Sequence, residues 1–277
     1  MITIDNQTIN SQIRTGIDEL CSRKGISKSK LATMIGVSPS ALTNLEANSD
    51  ETNNRIRLFI SPKQELQLVA TVNFQTVHKV ANDAKRNHKL TCIIGYTGAG
   101  KTTALTNYSE NNRNVYYLKC IKSMRPKQFF RKLIQEMGLS YSGSIYEMIE
   151  RISEELNSKK NPLIIIDEAG KLTQTVLMYL HDLRNLTEGS TGMLLAGVEY
   201  FKTNLEKWVD RQKEGMPEFY DRIMYWQELK YPTKSEVRAI CEAYGINDAE
   251  IVGELAKLRS YRKINNEIEN IKQFTFN

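Results

Sequence analysis

Gly95-Tyr96-Thr97-Gly98-Ala99-Gly100-Lys101-Thr102 follows the apolar run Leu90-Thr91-Cys92-Ile93-Ile94, and this stretch decides the fold. It matches G-x-x-x-x-G-K-[ST] in a strand–loop–helix setting. The glycines let the backbone wrap closely round a triphosphate, with N–H groups and a helix N-terminus supplying partial positive charge. Lys101 would reach the β- and γ-phosphates, and the Thr102 hydroxyl would hold Mg²⁺. The candidate ATP-binding residues are therefore Gly95, Thr97, Gly98, Ala99, Gly100, Lys101, Thr102 and Thr103. The alternative is a chance glycine-rich turn, which the setting disfavours.

A second motif lies about seventy residues further on, with one strand between the two. Leu163-Ile164-Ile165-Ile166-Asp167-Glu168 is a buried strand ending in two carboxylates. Asp167 suits the Mg²⁺ shell, and Glu168 suits a base that orients an attacking water. From Leu90 onward apolar strands alternate with helical stretches, the signature of an α/β parallel sheet. Candidate strands are Leu90–Ile94, Val115–Ile121, Leu163–Asp167, Met193–Gly197 and Ile223–Leu229. After Tyr231-Pro232, Thr233-Lys234-Ser235-Glu236 is a capping box that opens a helical tail.

Upstream, Ile9, Ile13, Ile17 and Leu20 recur on one helical face. Gly25 stops that helix, and Ser27 caps a second with Leu31, Met34 and Ile35 facing inward. Gly36-Val37-Ser38-Pro39 supplies a turn, an N-cap serine and a first-position proline. A third helix carries Ala41, Leu42 and Leu45 and ends near Asn48. The run from Leu31 to Glu46 resembles a phage-repressor helix-turn-helix. Asn48–Asn54 reads as a loop, and a helix over about 62–87 reads as a connector. The expected organisation is a helix-turn-helix domain at 1–61, a connecting helix at 62–88, an ATPase core at 89–231 and a helical lid at 232–277.

Charge sharpens the picture. The net charge is +6, yet residues 1–62 hold seven Lys/Arg and six Asp/Glu, whereas residues 89–135 hold nine Lys/Arg and one acid. Lys119, Lys122, Arg125, Lys127, Arg131 and Lys132 fall together without an acid, between a strand and a helix expected near Pro126. Such a cluster suits DNA phosphates, contacts that give affinity without sequence choice; the alternative is a solvated helix face. Lys171 is a further candidate contact. The recognition-helix position, Ser40–Glu46, has no Lys or Arg, which argues against operator reading. Cys21, Cys92, Cys120 and Cys241 are scattered, as in reduced cytosolic proteins, and give no metal-binding spacing. The polar first ten residues predict no signal peptide, and the apolar runs are too short for a membrane span. His78, His88 and His181 lack metal-ligand spacing, and Tyr116, Tyr117, Phe129 and Phe130 read as core aromatics.

From the phosphate loop to the C-terminus, and including the helix-turn-helix, the chain resembles the B-type transposition ATPases of phage Mu and its relatives. These belong to the AAA+ group, with the IS21-type helper ATPases and Tn7-type target selectors. Arg259-Ser260-Tyr261-Arg262-Lys263-Ile264-Asn265-Asn266 is similar to that group's lid signature. The resemblance implies a doubly wound P-loop AAA+ fold with a small helical lid after an all-α helix-turn-helix domain. It implies ATP and Mg²⁺ as cofactors, and ATP-dependent assembly on double-stranded DNA as a homo-oligomeric ring or helical filament. Delivery of that DNA to a DDE-type transposase, in the cytoplasm of a bacterial host, follows from the same likeness. It also implies that Arg262 serves as the lid arginine and that Arg222, before the last strand, contacts a neighbour's γ-phosphate. A surface ion pair with Asp221 is the plain alternative for Arg222, and Arg211 is the competing candidate. The chain departs from the group after Gly197, where Val198 and Glu199 replace the usual Asn, Ser or Thr; slow hydrolysis is the expected consequence. A helicase-loader or secretion ATPase with a protein client, and an ATP-switched transcription regulator, are the alternative functions.

Overall fold

The computed structural model describes residues 6–60 and 69–275 of the 277-residue chain. Helices α1 (Asn6–Lys24), α2 (Lys28–Ile35), α3 (Pro39–Thr43) and α4 (Asp50–Ile60) form the N-terminal module. The expected caps are present: Ser27 Oγ accepts the Lys30 N–H, Ser38 Oγ accepts the Ala41 N–H, and Pro39 opens α3. Gly36, at φ 77°, closes α2 in the left-handed region that favours glycine. Ile13, Ile17, Leu20, Leu31, Ala32, Ile35, Leu42, Leu45 and Ile56 form one apolar core. Met34 is only half-buried, its expected place taken by Ala32, and the Ile9 side chain lies outside the described residues.

The expected loop at Asn48–Asn54 is instead largely the start of α4. Asp50 and Glu51 in its first turn suit the helix dipole, and Ser49 Oγ accepts the Thr52 N–H. The Asn48 and Asn53 side chains bond each other and reach back to the Ala41 and Leu45 carbonyls. Polar composition concealed a helix that, among its described side chains, buries Ile56.

Of the helix expected over 62–87, residues 62–68 lie outside the described residues; α5 spans Val72–Arg86, with Thr71 Oγ1 accepting the Phe74 N–H. Then follow β1 (Leu90–Ile94), α6 (Lys101–Asn111), β2 (Val115–Lys119), α7 (Pro126–Glu136), α8 (Ile145–Asn157) and β3 (Leu163–Asp167). After them come α9 (Gln174–Leu186), β4 (Gly192–Gly197), α10 (Glu199–Asp210), α11 (Met216–Asp221) and β5 (Ile223–Glu228). All five strands are parallel in the order β2-β3-β4-β1-β5. Side chains alternate across a strand, so β1 sends Ile93 to one face, with Val77, Ala81, Leu105 and Tyr108 of α5 and α6. It sends Cys92 and Ile94 to the other, with Phe129, Phe130, Met148, Leu177, Leu205 and Phe219 from α7 to α11. Helices on both faces make the sheet doubly wound, as the alternating pattern predicted.

The lid is α12 (Lys234–Ala243), α13 (Ala249–Ala256) and α14 (Tyr261–Thr275), around Val237, Ile240, Val252, Leu255 and Ile264. The N-terminal module touches helices of both faces, α1 against α6 and α2 against α7, and Lys30 Nζ lies 2.8 Å from Glu155 Oε1 of α8, which Lys159 also meets at 3.1 Å. Among the described residues no helix is long and apolar enough to cross a membrane.

Candidate nucleotide site and basic edge

β1 ends at Ile94, beside the end of β4, and the Gly95 N–H donates to Gly197 O at 3.2 Å. The loop then turns through Gly98 (φ 88°) and Gly100 (φ 84°) before α6 begins at Lys101. Two left-handed residues in three are why the stretch needs glycine there. Gly100 stands at the N-cap without a side chain, so the first N–H groups of α6 face the loop uncapped, an arrangement suited to anionic oxygens. Lys101 is 8% exposed, and its ammonium donates to Gly95 O at 2.6 Å and Tyr96 O at 3.0 Å. Burial pushes that ammonium's pKa down, Asp167 and Glu168 pull it back, and Arg262 adds to the depression.

The two motifs meet at Thr102, whose hydroxyl donates to Asp167 Oδ2 at 2.6 Å across 65 residues of sequence. Asp167 is fully buried; its Oδ2 also accepts the Tyr117 hydroxyl at 2.9 Å, and its Oδ1 accepts the Glu168 N–H at 2.8 Å. Hydroxyl and carboxylate oxygens this close form a donor set that fits a hard divalent cation, and the uncapped loop fits a polyphosphate. Glu168 sits in the left-handed region at φ 58°, which costs a non-glycine residue about 1–2 kcal/mol. Its carboxylate lies 3.4 Å from the Lys171 ammonium, so Lys171 is engaged at this site.

Ser260 and Arg262 come against the loop from the lid. A β-carbon on Gly98 would fall 2.2 Å from Ser260 Oγ and 3.2 Å from Arg262 Cβ, and the Tyr261 N–H donates to Gly98 O at 3.1 Å. Arg222 is elsewhere. Ile223 pairs with Leu90, at the start of β1, whereas the loop leaves the far end of that strand. Five residues of extended chain, about 16 Å, separate the two levels. The Arg222 guanidinium bonds Glu188 Oε1 at 2.7 Å, so its ion-pair partner is Glu188 and not the adjacent Asp221. Beside the loop, Val198 caps α10 without a side-chain hydrogen bond.

Lys119 ends β2 in register with Asp167, and the Cys120 N–H donates to Asp167 O at 2.9 Å. Lys119, Lys122, Arg125, Lys127 and Arg131 are all exposed, and none joins an ion pair with another described residue; Lys132 is half-buried. Ile121 stands among them, 54% exposed. α7 begins at Pro126 as expected.

Sequence reasoning took Tyr117 for core with Tyr116, Phe129 and Phe130; those three are buried, whereas Tyr117 is half-buried and its hydroxyl holds Asp167. It also missed Arg184, a buried guanidinium that ties Thr191 O (2.6 Å) and His88 O (2.7 Å) at the other end of the sheet. No local pattern marks that residue.

Strand order, phosphate loop, acidic strand end and helical lid together define a P-loop AAA+ fold, and a family model described as an AAA domain matches residues 84–205. Over most of its length the chain is further similar to B-type transposition proteins. It is 25% identical over 265 residues to the "ATP-dependent target DNA activator B" of Escherichia phage D108, covering 89% of this chain and 83% of the relative. The phage Mu protein of the same description is 25% identical over 266 residues, with the same coverage. The "Mu-like prophage FluMu DNA transposition protein B" of Haemophilus influenzae is 20% identical over 239 residues, 81% of this chain and 82% of the relative. Among solved structures, the Aeropyrum pernix Orc1 protein in complex with DNA superposes with a TM-score of 0.52 at 15% identity, covering 69% of this chain and 56% of that one. The replication initiator DnaA bound to AMPPCP and single-stranded DNA gives 0.50 at 15%, covering 72% and 59%. Those two likenesses concern the fold alone, and the chain spans less than two thirds of either protein.

Proposed function

We propose that the protein is an ATP-dependent, largely sequence-independent DNA-binding ATPase that oligomerises on target DNA and presents it to a DDE-type transposase. The observation that carries this reading is the juxtaposition at one end of the sheet. A phosphate loop, with Thr102 and Asp167 2.6 Å apart, shares that end with exposed cations that form no ion pair among the described residues. The similarity to two phage proteins named ATP-dependent target DNA activator B supports it.

Bound ATP with Mg²⁺ would supply a labile phosphoryl group and the charge that orders the loop. Lys101 offsets phosphate charge, Thr102 and Asp167 hold the metal's oxygen shell, and Arg262 covers the loop from the lid. Glu168 polarises water, which requires its carboxylate to leave Lys171. Turnover is slow, because Val198 offers no hydrogen bond to that water. Arg222 serves a neighbouring subunit, since its own loop lies at the far end of β1. Lys119, Lys122, Arg125, Lys127 and Arg131, with Lys171 when it is free, track DNA phosphates.

The regulator reading is less favoured. α3 is five residues long without a cation, and the α2 lysines are already paired, Lys28 with Asp18 and Lys30 with Glu155. Electron microscopy and binding assays on unrelated duplexes, with and without a non-hydrolysable ATP analogue, test the proposal. Regular assemblies on every duplex only with the analogue are expected; one preferred site would indicate regulation, and no DNA binding a protein client.

A further inference from the structure

The capping box Thr233–Glu236 accounts for one oxygen of the Glu236 carboxylate. Oε2 accepts the Thr233 N–H at 2.8 Å, as the capping box requires, and the Thr233 hydroxyl at 2.7 Å. Oε1 does something else: it accepts the Val72 N–H at 2.8 Å and the Tyr261 hydroxyl at 2.9 Å. One carboxylate thus joins the first residue of α5, the cap of α12 and the first residue of α14. Burial pushes its pKa up, but the bonds from Thr233, Val72 and Tyr261 outweigh burial and hold it below the ordinary carboxylate range. Burial, reinforced by Glu236, pushes the Tyr261 phenol far above its ordinary value, so it stays a donor.

Asn73, 4% exposed, continues the joint. Its amide donates to Lys230 O (2.7 Å) and Ala99 O (3.3 Å), and its oxygen accepts the Lys230 N–H at 3.1 Å. From Glu236 the contacts run through Tyr261 to Gly98 O, and from neighbouring Asn73 to Ala99 O. Both routes end on carbonyls of the phosphate loop. Arg262 follows Tyr261 directly, so the angle of α14 decides where its guanidinium lies.

We infer that Glu236 is a positioning residue which, through the Tyr261 hydroxyl and the Val72 N–H, fixes α14 against the phosphate loop and so sets the site's preference for a triphosphate over a diphosphate. The inference rests on the nucleotide-binding reading above. Arg262 lies against the loop at Gly98, where the phosphates would sit; a diphosphate offers its guanidinium less anionic charge than a triphosphate, so loosening α14 weakens ATP more than ADP.

The test uses the full-length protein and measures binding of a non-hydrolysable ATP analogue and of ADP. Tyr261→Phe keeps the ring and removes only the hydroxyl bond; the analogue should bind about tenfold more weakly, with ADP changed less than about twofold. Glu236→Ala should lose at least as much selectivity, and Glu236→Gln, which keeps one acceptor oxygen, should fall between. Asp248→Ala removes the α13 cap, whose Oδ1 accepts from Glu250 and Ile251 N–H, without touching the joint. It should lower the thermal midpoint and keep the wild-type ratio. A Tyr261→Phe protein with the wild-type ratio overturns the inference and leaves nucleotide binding standing, even if Glu236→Ala fails to fold. A wild-type protein that binds neither nucleotide removes the nucleotide reading itself, and this inference with it.

Discussion

The loop after β1 and the segment after β2 leave the same end of one parallel sheet, and both carry lysine, yet they treat the cation in opposite ways. β1 lies inside the sheet between β4 and β5, so its loop is walled by neighbours and lid, and Lys101 is buried with two carbonyls as partners. β2 is the edge strand, and Lys119, Lys122 and Arg125, at and beyond its end, are exposed and form no ion pair among the described residues. A desolvated cation interacts strongly and with little screening, and its neighbours cannot replace it. Hydrated cations at an edge are individually weak, interchangeable and screened by salt. The same residue type therefore makes an indispensable contact at the centre of the sheet and a graded one at its edge.

The contrast can be broken most sharply at Glu168, which follows Asp167 at the end of β3 and is paired with Lys171. Glu168→Gln should retain nucleotide binding and lower ATP turnover about a thousandfold, prolonging DNA complexes formed in ATP. Steady-state turnover equal to the wild type would move the base elsewhere. At the centre, Lys101→Ala should weaken nucleotide binding by about a hundredfold and remove ATP-dependent DNA binding. Mixing it with Arg222→Ala protein should restore some ATPase activity, since each supplies what the other lacks at a shared interface. A mixture no more active than either variant counts against action across subunits. At the edge, Lys122→Ala with Arg125→Ala should weaken DNA binding by about tenfold for all sequences alike and flatten the salt slope by about one unit per lost contact, with ATP binding intact. Deleting residues 1–60 should cost less ATP-dependent DNA binding than that double substitution. The reverse ranking would put the DNA site on the N-terminal module.

Elements with strong local punctuation were legible in advance. The glycine spacing before Lys101, the serines capping α2 and α3, and the apolar run of β3 ending in Asp167 each announce themselves within a few residues. α4 was not legible, because Asn, Ser, Asp and Thr suit both a loop and a helix start; burial of Ile56 against α1 and α2 settles it. At Arg222 the sequence offered the adjacent Asp221 as an ion-pair partner, while the fold brings up Glu188, 34 residues away.

By itself the sequence determined what is local: the loop's backbone conformation, the helix caps, the strand pattern and the uneven charge. Each follows from the conformational preference or hydrogen-bonding capacity of residues within one or two turns of each other. Only the tertiary structure decided which distant groups meet. Packing β4 between β1 and β3 carries Asp167 to Thr102, and it leaves β2 at the edge with Lys119, its last residue, exposed. Docking the lid turns the spare oxygen of a capping glutamate toward α5 and α14. A carboxylate offers more lone pairs than a cap consumes, and the use of the remainder depends on what the folded chain brings within about 3 Å.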